Sequence, residues 1–243
     1  MHVTMICADN ENWAIGLRSI SSVLKKEGHR TKLLFLASAS LDGGNGVEKE
    51  LCNALRDTDL IGISSMSRAS KYVKQLSGAL KPLGIPIVWG GMHPTLFPED
   101  CVDHADLICR GEGEEFMVEL ANRLSSKDDH KDLPNGGYRE NGRMILNEIR
   151  PLIADLDELP ISDFSFDDEY RFADGRVVKM QASSFASGNI LFSGSRGCVC
   201  NCTYCSNSQL KTIYRGKGRY VRKMTMGRFV ELARSCREKF PKA

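Results

Sequence analysis

The chain has 243 residues, 42% of them hydrophobic and 26% charged, with a formal net charge of +2. That balance is the one expected of an ordinary globular protein; it argues against a general nucleic-acid binder, and no apolar run is long enough to span a bilayer. Nine cysteines, an odd number with four of them between positions 198 and 205, fit a reducing cytoplasm and a metal site better than a disulfide framework.

Taken in order, Val3–Cys7 reads as a strand, followed by a helix from about Ala14 to Lys26 that stops at Gly28. Thr31–Leu36 is the second strand, Val47–Arg56 a helix, and Leu60–Ser64 a third strand. Lys71–Leu83 is helical and closed by Gly84 and Pro86; Ile87–Trp89 and Leu107–Cys109 are the fourth and fifth strands. Glu114–Leu124 forms the next helix, its acidic first turn suited to the helix dipole. Strands alternating with helices predict an α/β domain with a doubly wound, Rossmann-like parallel sheet.

Sheets of this kind bind ligands in the crevice beyond the carboxyl ends of their strands. The candidates there are Asn12 and Trp13 after the first strand, Ser64, Ser65 and Met66 after the third, Gly90, Gly91, Met92 and His93 after the fourth, and Gly111, Glu112 and Gly113 after the fifth. Glycine lets backbone approach a bulky ligand without a Cβ clash, although each motif alone also describes a tight turn. The histidines His2, His29, His104 and His130 sit at element ends and read as surface residues.

Ser125–Pro134 is a polar connection, and Glu140-Asn141-Gly142 carries a strong hairpin signal between Tyr138–Arg139 and Met144–Leu146. Pro151–Pro160 reads as a linker, and Phe164, Phe166, Tyr170 and Phe172 as an aromatic stretch covering a domain seam. Asn189–Phe192 is expected to be a short buried strand leading into the cysteine loop. Beyond that loop, Lys211, Arg215, Lys217, Arg219, Arg222, Lys223 and Arg228 read as a solvated basic stretch before a helix at Thr225–Lys239, in preference to a nucleic-acid patch.

Cys198, Cys202 and Cys205 are spaced C-x3-C-x2-C. Iron–sulfur cubes are usually held by four thiolates, so three on one loop would hold a 4Fe-4S cluster and leave one iron open to a small molecule. The alternatives are a zinc site, a disulfide, or plain reduced thiols; zinc usually takes two separated ligand pairs, and no second pair stands out. Cys200 lies inside the first spacer and reads as a bystander able to replace a lost neighbour.

The segment Gly-Cys-Val-Cys-Asn-Cys-Thr-Tyr-Cys resembles the signature loop of radical S-adenosylmethionine (SAM) enzymes, with Tyr204 matching the aromatic before the last cysteine. The resemblance implies that Cys198, Cys202 and Cys205 ligate the cluster and that Tyr204 lies against the adenine of SAM. It implies reductive cleavage of SAM to a 5′-deoxyadenosyl radical and a flavodoxin- or ferredoxin-like electron donor as partner. Met1–Leu124 resembles the cobalamin-binding domain that precedes the barrel in one large class of these enzymes. Gly90–Thr95 and Gly111–Glu114 match that class, and Asp155–Pro160 is similar to its interdomain linker.

Cobalamin contacts are then expected at the strand-end residues named above, with Trp13, Met66 and Met92 either lining the corrin or packing the rim. The first loop, Asp9-Asn10-Glu11-Asn12-Trp13, lacks the histidine of the better-known Asp-x-His-x-x-Gly pattern, which implies a base-off cobalamin without that ligand. His93 is a substitute cobalt ligand on one reading and turn packing on the favoured one.

The implied domains are 1–125 (cobalamin-binding-like), 126–185 (hairpin and linker) and 186–243 (the first βα unit of a radical SAM barrel). Only 38 residues follow Cys205, whereas the resemblance implies a barrel of about six βα units, each needing about 30 residues or more, so the expectation is a fragment of a longer enzyme, inactive alone. Methyl transfer to an unknown small-molecule substrate is the leading reaction, with radical ring formation or rearrangement behind it. The rivals are a non-catalytic cobalamin-binding or regulatory module and an RNA-modifying methylthiotransferase relative. The scattered positions of Cys7, Cys52, Cys101 and Cys109 speak against the latter.

Overall fold

The structure is a computed structural model and describes residues 1–9, 11–36, 45–173, 175–185 and 191–240. The first half alternates strictly: β1 (His2–Cys7), α1 (Ile15–Lys26), β2 (Arg30–Leu36), α2 (Asn45–Ala54), β3 (Leu60–Ser64), α3 (Ser70–Leu80), β4 (Ile87–Gly90), α4 (Met92–Leu96), β5 (Leu107–Cys109) and α5 (Glu114–Ser126). The five strands are mutually parallel in the order β5-β4-β3-β1-β2. Side chains alternate across a strand, so each central strand feeds two cores. Ile6, Leu34, Leu36, Ile61, Ile63 and Trp89 pack with Leu51 of α2, Leu55 just after it, and Val73 and Leu76 of α3 on one face. Val3, Met5, Leu33 and Phe35 pack with Leu17, Leu24, Phe116, Met117 and Leu120 of α1 and α5 on the other. The doubly wound α/β domain is therefore present, with its switch point between β1 and β3, where the order reverses.

Residues 126–185 do more than the expected hairpin and linker. β6 (Gly136–Glu140) and β7 (Arg143–Leu146) pair antiparallel and add to the β5 edge. Their turn has Asn141 at φ 49° and Gly142 at φ 76°, the double positive φ that suits a two-residue hairpin. β8 (Glu169–Ala173) runs parallel to β2 and pairs antiparallel with β9 (Arg176–Lys179), closing a nine-stranded sheet. Phe172, expected at a seam, lies in the core beside Leu51 and Leu55.

Arg18 fastens this segment to the domain. It is fully buried, and all five of its N–H donors are used. Nη1 and Nη2 fork onto the Glu169 carboxylate at 2.9 Å each, and the remaining donors reach the carbonyls of Trp13 (2.9 Å), Asp163 (2.6 Å) and Asn12 (3.0 Å). Two expected surface histidines are also internal. His2 and His29 are buried where the strand ends meet their loops, and His2 Nδ1 lies 2.8 Å from the Asp57 carbonyl.

The last quarter holds β10 (Ser195–Arg196), α6 (Asn207–Ile213), β11 (Arg222–Lys223) and α7 (Met226–Lys239). The Thr225 hydroxyl caps α7 by accepting from the Arg228 N–H at 3.2 Å. Of the strand expected at Asn189–Phe192, positions 189 and 190 lie outside the described residues, while Leu191 and Phe192 join no ladder and Leu191 is about half exposed. Phe192 packs on Phe229 instead, and the nearest ladder is the two-residue antiparallel pair β10–β11. Among the described residues no helix is long and apolar enough to cross a membrane.

Candidate cofactor site

A cavity of about 440 Å³ opens at the carboxyl ends of β3, β4 and β5, beside the switch point. Its floor is Met5, Gly62, Ser64, Val88, Gly90 and Cys109, and its wall is Gly91 with Gly111–Glu114. Residues 159–162, Ser195, Arg196, Arg228 and Leu232 close it from the opposite side. Missing side chains shape both floor and wall. A Cβ on Gly62 would come within 2.8 Å of the Met5 sulfur, and one on Gly91 (φ 100°) within 2.8 Å of the Ser65 carbonyl. Thr95 ties two loops of the wall together, its hydroxyl donating to the Gly91 carbonyl (2.7 Å) and accepting from the Gly111 N–H (2.8 Å).

Six of the residues singled out from sequence line this cavity: Ser64, Gly90, Gly91, Gly111, Glu112 and Gly113. The other six do not. Asn12 gives its carbonyl to Arg18, and Trp13 sits among Phe164, Phe185 and Phe240 with ring centroids 4.6–6.0 Å away. Ser65 accepts from the Trp89 indole N–H at 2.8 Å beneath the loop, while Met66 is half exposed and donates its N–H to Asp9. Met92 opens α4 outside the cavity. His93 is buried between the Trp89 and Phe97 rings, Nδ1 3.1 Å from the Ser67 hydroxyl and Nε2 2.9 Å from Asp100. With both nitrogens engaged it packs the turn and offers no lone pair to a metal.

Sequence reasoning did not single out Gly62, Ser19 or Arg196 and read Arg228 as part of a solvated stretch, yet all four line the cavity. Gly62 did carry a signal, as an isolated glycine in a β-branched strand marks close backbone approach. The charged residues carried none, because their partners are far away in sequence. Glu112 accepts from Arg196 Nη1 (2.9 Å), Arg222 Nη1 (2.9 Å) and the Ile153 N–H (2.8 Å). Glu114 accepts from the Ser19 hydroxyl (2.8 Å) and from Arg196 Nη2. Arg222, expected in solvent, is therefore buried and paired. Burial alone would raise the Glu112 carboxyl, but the two guanidiniums overcome it and hold it below its ordinary value. Burial likewise opposes the charge on Arg196, and the two carboxylates more than offset it, pushing its pKa up. Desolvation, helped by Glu114, pushes the Cys109 thiol on the floor up to about 12, so it is neutral there.

The cysteine loop lies beyond Arg196. Cys198, Cys202 and Cys205 are half-buried, Cys200 is exposed, and all four are free thiols. Among the described residues no three His, Cys, Asp or Glu side chains converge in a metal-binding group. The structure thus keeps the triplet on one loop without gathering it. Asn207 donates to Cys205 Sγ (3.4 Å) and lowers the pKa of that thiol. Lys211 donates to the Cys200 carbonyl (2.7 Å) and to Asn201 Oδ1 (2.6 Å). Tyr204 projects into solvent. The donor type, soft thiols on a half-exposed loop, fits an iron–sulfur cluster in its chemistry.

Residues 1–121 match the B12 binding domain family. The matched stretch holds the five parallel strands β1–β5. The chain is 32% identical over 160 residues to the uncharacterized methyltransferase PH0819 of Pyrococcus horikoshii, covering 63% of this chain and 32% of that protein. It is 26% identical over 156 residues to bacteriochlorophyllide d C-8(2)-methyltransferase of Chlorobaculum tepidum, covering 61% of this chain and 28% of that protein. It thus spans about a third of the length of these curated relatives.

Among solved structures, the radical SAM methyltransferase TsrM from Kitasatospora setae, with tryptophan and a SAM analogue bound, has a TM-score of 0.71 at 15% identity. That match covers 96% of this chain and 45% of TsrM. OxsB, a cobalamin-dependent SAM radical enzyme with aqua-cobalamin and SAM bound, has a TM-score of 0.68 at 20% identity, covering 98% of this chain and 32% of OxsB. At these identities the likeness shows the fold.

Proposed function

We propose that this chain is the cofactor-binding portion of a cobalamin-dependent radical SAM methyltransferase. The observation that carries the reading is the position of the cavity. One wall is the glycine-rich edge of the B12 binding domain, and the other ends at Arg196, two residues before the first cysteine of the triplet.

Ser64, Gly90, Gly91, Gly111 and Gly113 would hold cobalamin, the glycines giving it backbone to lie against. His93 would not ligate the cobalt, and the first loop has no histidine to do so in its place. Cys198, Cys202 and Cys205 would hold a 4Fe-4S cluster, whose chemistry is to give an electron to the sulfonium of SAM, with Tyr204 toward the adenine. A flavodoxin- or ferredoxin-like protein is the electron donor in this reading. The acceptor of the methyl group is a small molecule that none of these residues selects. A second reading, a non-catalytic cobalamin module, has one observation in its favour: the described thiols do not converge.

Anaerobic reconstitution with iron and sulfide, followed by titration with hydroxocobalamin, separates the two. The expected outcome is that wild type gains iron and acid-labile sulfide, Cys198→Ala, Cys202→Ala and Cys205→Ala lose both, and Cys200→Ala keeps them. All five proteins shift the hydroxocobalamin absorption band, because its wall is elsewhere. A band shift without iron in wild type selects the second reading. Neither signal rejects both.

A further inference from the structure

β10 and β11 are only two residues each, and their ladder sets Arg196 directly opposite Arg222. Like charges face to face across an antiparallel pair repel, and so short a ladder has little else to hold it. The carboxylate of Glu112 lies against both guanidiniums, 2.9 Å from each Nη1. Arg222 Nη1 also donates to the Ile153 carbonyl (2.8 Å), and Glu112 takes the Ile153 N–H, so the linker is stitched in as well. Glu114 and Ser19 hold the other side of Arg196. Two carboxylates and two guanidiniums make a neutral, largely buried group, which is what makes burying its charges tolerable.

The chain leaving the cysteine loop rests on the same support. Tyr214, at the end of α6, packs so closely over Gly111 (φ 89°) that a Cβ there would fall 2.2 Å from its hydroxyl. A Cβ on Gly197, next to Cys198, would fall 2.2 Å from the Tyr220 carbonyl. The residues before the triplet and those after it are thus both seated on residues 111–114, which are also a wall of the cavity.

We infer that Glu112 is a positioning residue that carries the state of the cavity to the cysteine loop. It anchors Arg196 and Arg222 from the opposite domain, so a ligand that orders residues 111–114 also orders the loop. The link to cobalamin rests on the preceding reading; the anchoring is a property of these side chains alone.

Hydrogen-exchange mass spectrometry on the full chain tests both, comparing wild type with Glu112→Gln, Arg196→Met and Arg196→Lys. Without ligand, Glu112→Gln and Arg196→Met exchange about tenfold faster across 195–213, while β1–β4 are unchanged. Arg196→Lys, which keeps one charged contact, falls between them and wild type. Wild-type exchange in 195–213 slows on saturation with hydroxocobalamin, and in Glu112→Gln it does not. Unchanged exchange in Glu112→Gln, equal acceleration throughout the sheet, or slowing by hydroxocobalamin that survives in Glu112→Gln would each overturn the inference. If hydroxocobalamin leaves its own absorption unshifted with wild type, the cobalamin reading fails, and the exchange rates of the unliganded variants decide the anchoring.

Discussion

At the scale of single residues, the ionic groups organise this molecule more than their number suggests. Arg18 uses every donor it has, and its partner Glu169 is so desolvated that its carboxyl remains above the ordinary value even beside that guanidinium. Removing one member of a buried pair leaves the other uncompensated, at a cost of about 3–5 kcal/mol. Arg18→Met is therefore expected to lower unfolding stability by that amount in urea melts, and Arg18→Met with Glu169→Leu to recover part of it. A single variant within about 0.5 kcal/mol of wild type would show the pair to be dispensable.

This pair was not legible in the sequence, where Arg18 stands between Leu17 and Ser19 as an ordinary polar helix residue and Glu169 follows 151 positions later. Arg196 and Arg222 were hidden in the same way, because a basic residue reads as solvated unless its carboxylate partner is known. His93 was legible: a histidine before proline in a glycine turn was expected to pack, and it does, held through both ring nitrogens.

At the scale of elements, local chemistry was the better guide. The five parallel strands and their helices lie where alternation and helix-stop signals put them, and Asn141-Gly142 makes the turn its residues demand. Gly142 has open space around the position of a Cβ, so Gly142→Ala tests backbone conformation alone. The left-handed conformation should cost alanine about 1–2 kcal/mol, read as a lower urea midpoint with the hydroxocobalamin titration unchanged. No loss would mean the turn relaxes to another type.

β8 and β9 escaped prediction although Tyr170 and Phe172 alternate as a half-buried strand should. The aromatics drew attention to packing, and the partner strand β2 lies more than 130 residues upstream, beyond any local signal. The cavity was half legible for a related reason. Strand-end glycines point to it, but α7 and residues 159–162 reach it only through the tertiary fold.

At the scale of the whole molecule, these late strands decide where the domain ends. The B12 binding domain match stops at 121, yet the parallel sheet it contains has β2 and β5 as edges only if the next 60 residues are ignored. β2 offers Leu33–Leu36, all buried, to β8 in four register pairs, and Arg18 needs Glu169 and the Asp163 carbonyl to fill its donors. A chain cut after 126 would therefore expose an apolar strand edge and bury a guanidinium without its counter-charge, two faults that favour aggregation and unfolding respectively. A chain cut after 185 keeps all nine strands and the Arg18 group. The expected result is a monodisperse, cooperatively unfolding 1–185 protein by size exclusion and urea melts, and an aggregating or markedly less stable 1–126 protein. Equal stability of the two would mean that β6–β9 decorate a domain already complete without them, and that the Arg18–Glu169 pair secures the added strands to the domain without supporting it.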